Sequence, residues 1–373
     1  MRILDNIRVL DITHVQAGPL CTMILADMGA EVIKIEPPWG EMLRMPPHYK
    51  GFNPSFAQFN RGKKGITLNL KRDKGLEVFK KLVRTADVVV ENFSPGTMDR
   101  LGLGYDTLKE INPKLIFVSI SGFGQYGPYS RRGSFDLIAQ AMSGLMSLTG
   151  TPYGHPIRVQ DYIGDSVTSL FGVISILAAI RHRDLTGRGQ RVDVAQLDAM
   201  VSILSSAVSQ MAFGETNIQR QMRYFTGVYG AFEAQDGYVA IGAPMGAILD
   251  RLARTIGVDK IEGSEAVVEW VKGRSVDDVV EALVKAEVPC APVLSMDKVV
   301  TDPHVLARDM IVEVDHPKMG RIKLVGFAPK LSEFSDRITY GPPPLLGEHN
   351  EEVLSSLGYT QEDIAKLREE RVI

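Results

Sequence analysis

The stretch Ile7-Arg8-Val9-Leu10-Asp11-Ile12, followed by Pro19-Leu20-Cys21-Thr22-Met23-Ile24-Leu25-Ala26-Asp27-Met28-Gly29 and then by Glu31-Val32-Ile33-Lys34-Ile35, decides the fold. The first piece is an apolar run of strand length. The second spaces its apolar residues as a helix does and stops at a glycine, the residue that ends helices most readily. The third is rich in β-branched residues, which suit a pleated sheet. Strand, helix and strand in this order imply parallel pairing through a right-handed crossover. Moving outward, residues 75–85 place Leu76, Phe79, Leu82 and Val83 on one face of an amphipathic helix, and residues 86–90 and 115–119 are further strands. Residues 163–214 read as mostly helical, broken by the turn Thr186-Gly187-Arg188-Gly189-Gln190. A block at 227–325 has its own strand at 238–241, two or three helices and the segment Val288-Pro289-Cys290-Ala291-Pro292-Val293. A charge-laced helix at 361–371 closes the chain. The expected class is α/β: a Rossmann-like parallel-sheet large domain over 1–198, rejoined by 328–373, a helical linker at 199–226, and a smaller α+β domain at 227–327.

Composition narrows the function. A chain of 373 residues suggests about two or three domains and a core that needs no staples. With 45% hydrophobic and 23% charged residues it is neither disordered nor fibrous. The net charge of −3 offers no basic field to nucleic acid. Two cysteines, Cys21 and Cys290, support neither a disulfide framework nor a structural zinc, so a cytoplasmic, reducing setting is expected. Acids interrupt the N-terminal stretch, which lacks a signal-peptide core. The longest apolar run, 170–180, is shorter than the ~20 residues that span a bilayer. It reads as a buried helix, and no membrane partner is expected. No HExxH spacing or Cys–His pattern argues for a metal.

Two familiar motifs fail on context. Gly122-Phe123-Gly124-Gln125-Tyr126-Gly127 matches the dinucleotide fingerprint, yet Pro128 and a polar loop follow where a helix must start. Gly62-Lys63-Lys64 lacks the upstream glycine and the Ser/Thr of a phosphate loop. Asp165, in Gly164-Asp165-Ser166, opens a long apolar helix. Such an aspartate commonly caps helix N–H groups. Beside a core, its carboxylate is also a nucleophile for acyl groups, with Asp161 as the competing candidate. Thr13-His14-Val15-Gln16-Ala17-Gly18-Pro19 lies where the first strand meets a helix, the place where open parallel sheets bind ligands. Its plain reading is a helix start with Pro19 at the first position. Lys63, Lys64, Lys71 and Arg72 form a basic run that reads as a solvated face or a phosphate contact.

Together these pieces resemble the family III coenzyme A transferases, the formyl-CoA transferase and carnitine CoA-transferase group, also called CaiB/BaiF. The matching segments run almost end to end: VLDITHVQAGP, GAEVIKIEPP, KKGITLNLK, ADVVVENFSPGTMDRLGLGY, GSFDLIAQAMSG, IGDSVTS, TGRGQRVDVAQLDAM, VPCAPVLSM followed by DPH, and PLLGEH. The resemblance implies that Asp165 is the catalytic nucleophile, passing through an aspartyl mixed anhydride and an aspartyl-CoA thioester. It implies coenzyme A contacts at Gln16, Ala17, Leu68, Lys71, Asn92, Phe93 and Arg100, with Gln16 and Ala17 near the thioester. It places His14, Phe135, Asp136 and Tyr229 around the acyl group. It also implies acyl-CoA as a substrate, with no permanently bound cofactor, and an interlocked homodimer. The chain departs from the pattern at Pro37 and Gly133, where basic residues are expected. Gly227-Val228-Tyr229-Gly230 stands where the family has a run of four glycines. Arg44, Arg158 and Arg223 are candidates for a second substrate carboxylate. The alternative of the same fold is an α-methylacyl-CoA racemase, which needs a His-Asp pair where this chain has Phe135-Asp136. A non-catalytic CoA-binding protein and a nicotinamide enzyme are opposed by Asp165 and by Pro128, respectively.

Overall fold

In a computed structural model, residues 2–45, 51–151, 154–214, 227–334 and 338–373 are described. They fall into two units, Met1–Arg220 with Asp309–Ile373, and Gln221–Arg308. The first unit is an α/β structure built on a six-stranded sheet. Its strands are β1 (Arg8–Asp11), β2 (Glu31–Glu36), β3 (Lys64–Thr67), β4 (Val88–Glu91), β5 (Ile116–Ser121) and β6 (Gln190–Ala195). The order is β3-β2-β1-β4-β5-β6, and every pairing is parallel.

Both faces of this sheet are covered, which is why its strands read as near-continuous apolar runs. On one face Leu10, Ile33, Val89 and Phe117 pack against the helices Asp73–Val83 and Tyr105–Ile111 and against Val353, Leu354, Ile364 and Leu367 of the C-terminal helices. On the other face Val9, Val32, Val88, Ile116 and Val118 meet the helices Ala17–Asp27 and Ile163–Thr186. These last two helices touch closely: a Cβ on Gly172 would lie 2.9 Å from Cys21 Sγ. The helix Ile163–Thr186 has 24 residues and, contrary to the expectation from the shorter run at 170–180, is long and apolar enough to cross a bilayer. Its Val173, Ile176, Ala179 and Ile180 are spent on the sheet core, as in a core helix.

The second unit holds β7 (Val228–Glu233), β8 (Tyr238–Ala243) and β9 (Cys290–Pro292), an antiparallel sheet in that order. The helices Gly246–Ile256, Glu265–Lys272 and Val276–Lys285 supply Leu252, Val267, Val271, Val279 and Leu283 to its core. The antiparallel hairpin β10 (Ile311–His316) and β11 (Gly320–Val325) groups with the first unit, whereas the sequence places it in a small domain over 227–327. The reason is local: Val314 and Leu324 bury against Ala57 and Phe52.

Two strands of the six-stranded sheet escape the sequence reading. β3 lies in a run dominated by lysines, and β6 lies in a region expected to be helical after its turn. β6 alternates Gln190, Arg191, Val192, Asp193, Val194 and Ala195, the period of a sheet-edge strand.

Candidate active site

The strand order reverses between β1 and β4, so the crevice beyond their carboxyl ends is the place where such a sheet binds ligands. The chain leaving β1 is pinned there from below. Asp11, wholly buried, accepts hydrogen bonds from Thr13 N (3.0 Å), Thr13 Oγ1 (2.5 Å), Thr22 Oγ1 (2.7 Å) and Lys63 Nζ (2.8 Å). Lys63 also donates to Pro19 O and Asn60 Oδ1, both at 2.9 Å, and Lys34 Nζ donates to Thr13 O at 2.6 Å. Burial alone would raise the Asp11 carboxyl; the Lys63 and Lys34 charges overcome it and hold the group well below the usual carboxylate range. Lys63 is therefore a core residue, not part of a solvated basic face. Lys64 pairs with Glu31 and Glu352.

From above, Asn92 beyond β4 brackets the His14 backbone: its Oδ1 accepts from His14 N and its Nδ2 donates to His14 O, both at 2.8 Å. The His14 ring lies 5.3 Å from that of Phe93. Burial, aided by the Lys34 charge, pushes His14 down to about 4, so it is a neutral imidazole at neutral pH. Val15 then takes a left-handed conformation with φ 66°. The helix starts at Ala17, two residues before the Pro19 start read from sequence.

Asp165 faces this turn. The plain capping reading fails: the helix begins at Ile163, Asp165 is its third residue, and no side chain caps it locally. The start is held instead by Asp136, whose Oδ1 accepts from Gly164 N at 2.7 Å and whose Oδ2 accepts from Gln140 Nε2 at 2.7 Å. A Cβ on Gly164 would lie 3.0 Å from that Asp136 oxygen, so the glycine lets the carboxylate approach. The Asp165 carboxylate is left to a different partner, accepting a hydrogen bond from Gln196 Nε2. Burial, then the nearby Asp136 charge, raise Asp165 to about 7 against the lowering effect of Gln196. Asp161, the competitor, is exposed. Two further bonds lock the turn and helix together, Ser169 Oγ to Ala17 O (2.6 Å) and Gln16 Nε2 to Ser166 Oγ (3.3 Å).

A cavity of about 180 Å³ is lined by His14, Gln16, Ala17, Asn92, Phe135 and Asp165 among the residues singled out from sequence. Gly122, the first glycine of the failed fingerprint, lines it too, as do Ser134 and Gln196, which sequence reasoning missed. A readable signal existed, since Gln196 directly follows the alternating β6. Other expected residues lie elsewhere. Asp136 is 3% exposed and sits behind the helix start instead of lining the cavity. Leu68 is buried in the sheet core. Lys71 and Arg100 are exposed, and Arg100 donates to Thr97 Oγ1. Phe93 packs on His14 and does not line the cavity. Tyr229 is exposed on β7 of the second unit. Of the arginines, Arg44 forms an ion pair with Glu36 at 2.7 Å and covers the Phe56 ring; Arg158 is half-buried; Arg223 lies outside the described residues.

Residues 4–350 match the family described as CoA-transferase family III. The chain is 39% identical to the succinyl-CoA:mesaconate CoA-transferase of Haloarcula marismortui, over 96% of this chain and 97% of that protein. It is 35% identical to the formyl-CoA:oxalate CoA-transferase of Streptomyces coelicolor, over 99% of each. Among solved structures, a CAIB/BAIF family protein from Brucella suis superposes with a TM-score of 0.84 at 31% identity, covering 95% of this chain and 99% of that one. Likeness of this extent, in sequence and in the parallel-sheet fold alike, places the chain in CoA-transferase family III.

Proposed function

We propose that the protein moves coenzyme A from an acyl-CoA to a free carboxylic acid, with Asp165 as the covalent nucleophile. The observation that carries this reading is the desolvated Asp165 carboxylate at the wall of the cavity between the His14–Ala17 turn and Phe135. The Asp165 carboxylate attacks the thioester carbonyl, and the C–S bond breaks to release CoA thiolate and leave a mixed anhydride. The thiolate attacks the aspartyl carbonyl and expels the donor acid, giving an aspartyl-CoA thioester. The acceptor carboxylate attacks that thioester and expels thiolate to give a second mixed anhydride; the thiolate then attacks its acceptor carbonyl, forming the new acyl-CoA and releasing the Asp165 carboxylate. Each step trades one activated acyl bond for another, so the site needs no ATP but must exclude water.

Gln16 and Ala17 serve the thioester end, and Asn92, Phe93, Lys71 and Arg100 the nucleotide end, while Leu68 belongs to the sheet core. The exposure of Lys71 and Arg100 suits contact with phosphates. His14 and Phe135 border the acyl group, and Asp136 supports the helix that carries the nucleophile. Mesaconate and oxalate in the relatives' names are both dicarboxylates, which makes succinyl-CoA with a short dicarboxylic acid the first pair to try. Mass spectrometry of acyl-CoAs after incubation with isotope-labelled free acids tests the reading: label entering the CoA ester supports it, and free CoA without labelled ester sinks it. Because a raised carboxyl is protonated and inert below its pKa, kcat/KM for transfer is expected to climb as pH rises through about 7. A flat profile between pH 5.5 and 8.5 contradicts a nucleophilic Asp165.

The working form in this reading is a homodimer. The first unit exposes Leu137, Ile138 and Met142 on one helix, Leu170 and Ile174 on another, and Val208 and Met211 on a third, apolar side chains that a second copy would cover. Sedimentation equilibrium is expected to give twice the chain mass; a monomer at micromolar concentration rejects the dimer.

A further inference from the structure

Gln196 is the first residue of the helix Gln196–Ile203, directly after β6, and is nearly wholly buried. Its amide is oriented at both ends. Ser134 Oγ donates to Gln196 Oε1 at 3.2 Å, which turns the amide nitrogen toward Asp165, where it donates to Oδ1. An ionised carboxylate only accepts hydrogen bonds, so this polarity is the one that suits the reactive form. Asp136, the charge next to Asp165, is occupied by Gly164 N and Gln140 and gives Asp165 no hydrogen bond.

We propose that Gln196 is a catalytic residue that stabilises the oxyanion formed on Asp165 itself whenever the aspartyl carbonyl is attacked. This rests on the covalent reading above and deepens it. When Asp165 attacks a thioester through Oδ2, Oδ1 becomes the carbonyl oxygen of the mixed anhydride and keeps the Gln196 N–H. As CoA thiolate attacks Cγ, the sulfur electron pair forms the S–Cγ bond and the carbonyl π pair moves onto Oδ1. Reforming the double bond expels the donor carboxylate with its electron pair. Attack of the acceptor carboxylate on the aspartyl thioester places charge on Oδ1 again, and collapse expels thiolate. The first attack, on the substrate's own carbonyl, puts the charge on a substrate oxygen that Gln196 does not touch. Gln196 therefore serves the two steps at the enzyme's carbonyl and not the initial release of CoA.

The test uses the full-length protein with succinyl-CoA and carbon-13 succinate, whose exchange needs one acyl-CoA only. Gln196→Met keeps the side-chain volume and removes the donor. It is expected to lower kcat for exchange about 10²–10³-fold, the loss seen when one oxyanion donor is removed, with KM within threefold. Because the first step is spared, the variant is also expected to release one free CoA thiol per active site in a burst that the parent lacks. Ser134→Ala, which keeps the donor but frees its far end, should lose less than Gln196→Met. A kcat for Gln196→Met within threefold of the parent, or an equal loss without a thiol burst, overturns the proposal. Carbon-13 NMR of Asp165 adds a readout independent of turnover: its carboxyl should titrate at higher pH in Gln196→Met, since the charged form loses a donor. An unmoved titration denies the contact. Failure of the parent to exchange label faults the choice of succinyl-CoA or the CoA-transfer reading instead, and the Asp165 titration then decides on Gln196 alone.

Discussion

Asp165→Asn is expected to lower kcat for CoA transfer by about 10⁶-fold, the scale of loss when a covalent nucleophile is removed. The substitution is nearly isosteric and keeps an oxygen able to accept from Gln196 Nε2, so the packing between the His14–Ala17 turn and the Ile163–Thr186 helix stays intact. What disappears is the anionic oxygen that attacks the thioester in the proposed mechanism. Two measurements check this. Hydroxylamine added during turnover should convert residue 165 of the parent to a hydroxamate visible in a peptide mass spectrum, and should leave the variant unmarked. Asp165→Ala guards against slow deamidation of the asparagine, which would restore the parent. Transfer by the alanine variant within 100-fold of the parent, or trapping at another residue, removes Asp165 from the mechanism while leaving the fold untouched.

Lys63→Met is expected to destabilise the first unit by about 3–5 kcal/mol, the cost of stripping one partner from a buried ion pair. Lys63 and Asp11 have fully buried side chains 2.8 Å apart, and no water reaches Asp11 to replace the ammonium. Thr13 and Thr22 still donate to Asp11, and Lys34 lies near, but the charge they surround is left undercompensated. The loss is measured by urea unfolding followed by near-ultraviolet circular dichroism. The companion variant Asp11→Asn/Lys63→Met removes both charges and should recover a large part of the loss, because an uncharged pair has no ion to desolvate. Equal instability of the single and double variants would show that Lys63 acts through its bonds to Pro19 O and Asn60 Oδ1 and not through the charge pair. Binding should weaken alongside stability, since the same cluster fixes Thr13 and the turn that carries His14, Gln16 and Ala17.

The legible part of this protein lies in its local patterns. The β1–helix–β2 unit is written as two apolar runs around a helical spacing, and because parallel strands are buried on both faces, their apolar character needs no knowledge of neighbours. The near-continuous family segments carried Asp165, Gln16 and Asn92 to one crevice for the same reason: each sits just past a strand end or at a helix start, positions that sequence spacing marks. Less legible were groups whose setting depends on distant chain. Lys63 looks solvated in a lysine-rich run, yet Asp11, 52 residues away, takes it into the core. β6 alternates polar and apolar residues because it is a sheet edge, a weak signal inside a region of helical character that its pairing with β5 resolves.

Sequence alone determined the parallel β1–helix–β2 unit and set Asp165 at a helix start, since these depend on periodicity and on residue type at an element's end; its candidacy as nucleophile came from the family resemblance. Tertiary structure decided the environment of Asp165. Asp136, 29 positions earlier in the numbering, takes over the helix start, so Asp165 is excused from capping. Gln196, 31 residues later, meets the freed carboxylate. Proton affinity and hydrogen-bond partnership are set by burial and by charges a few ångströms away, and those distances exist only after the chain has closed on itself.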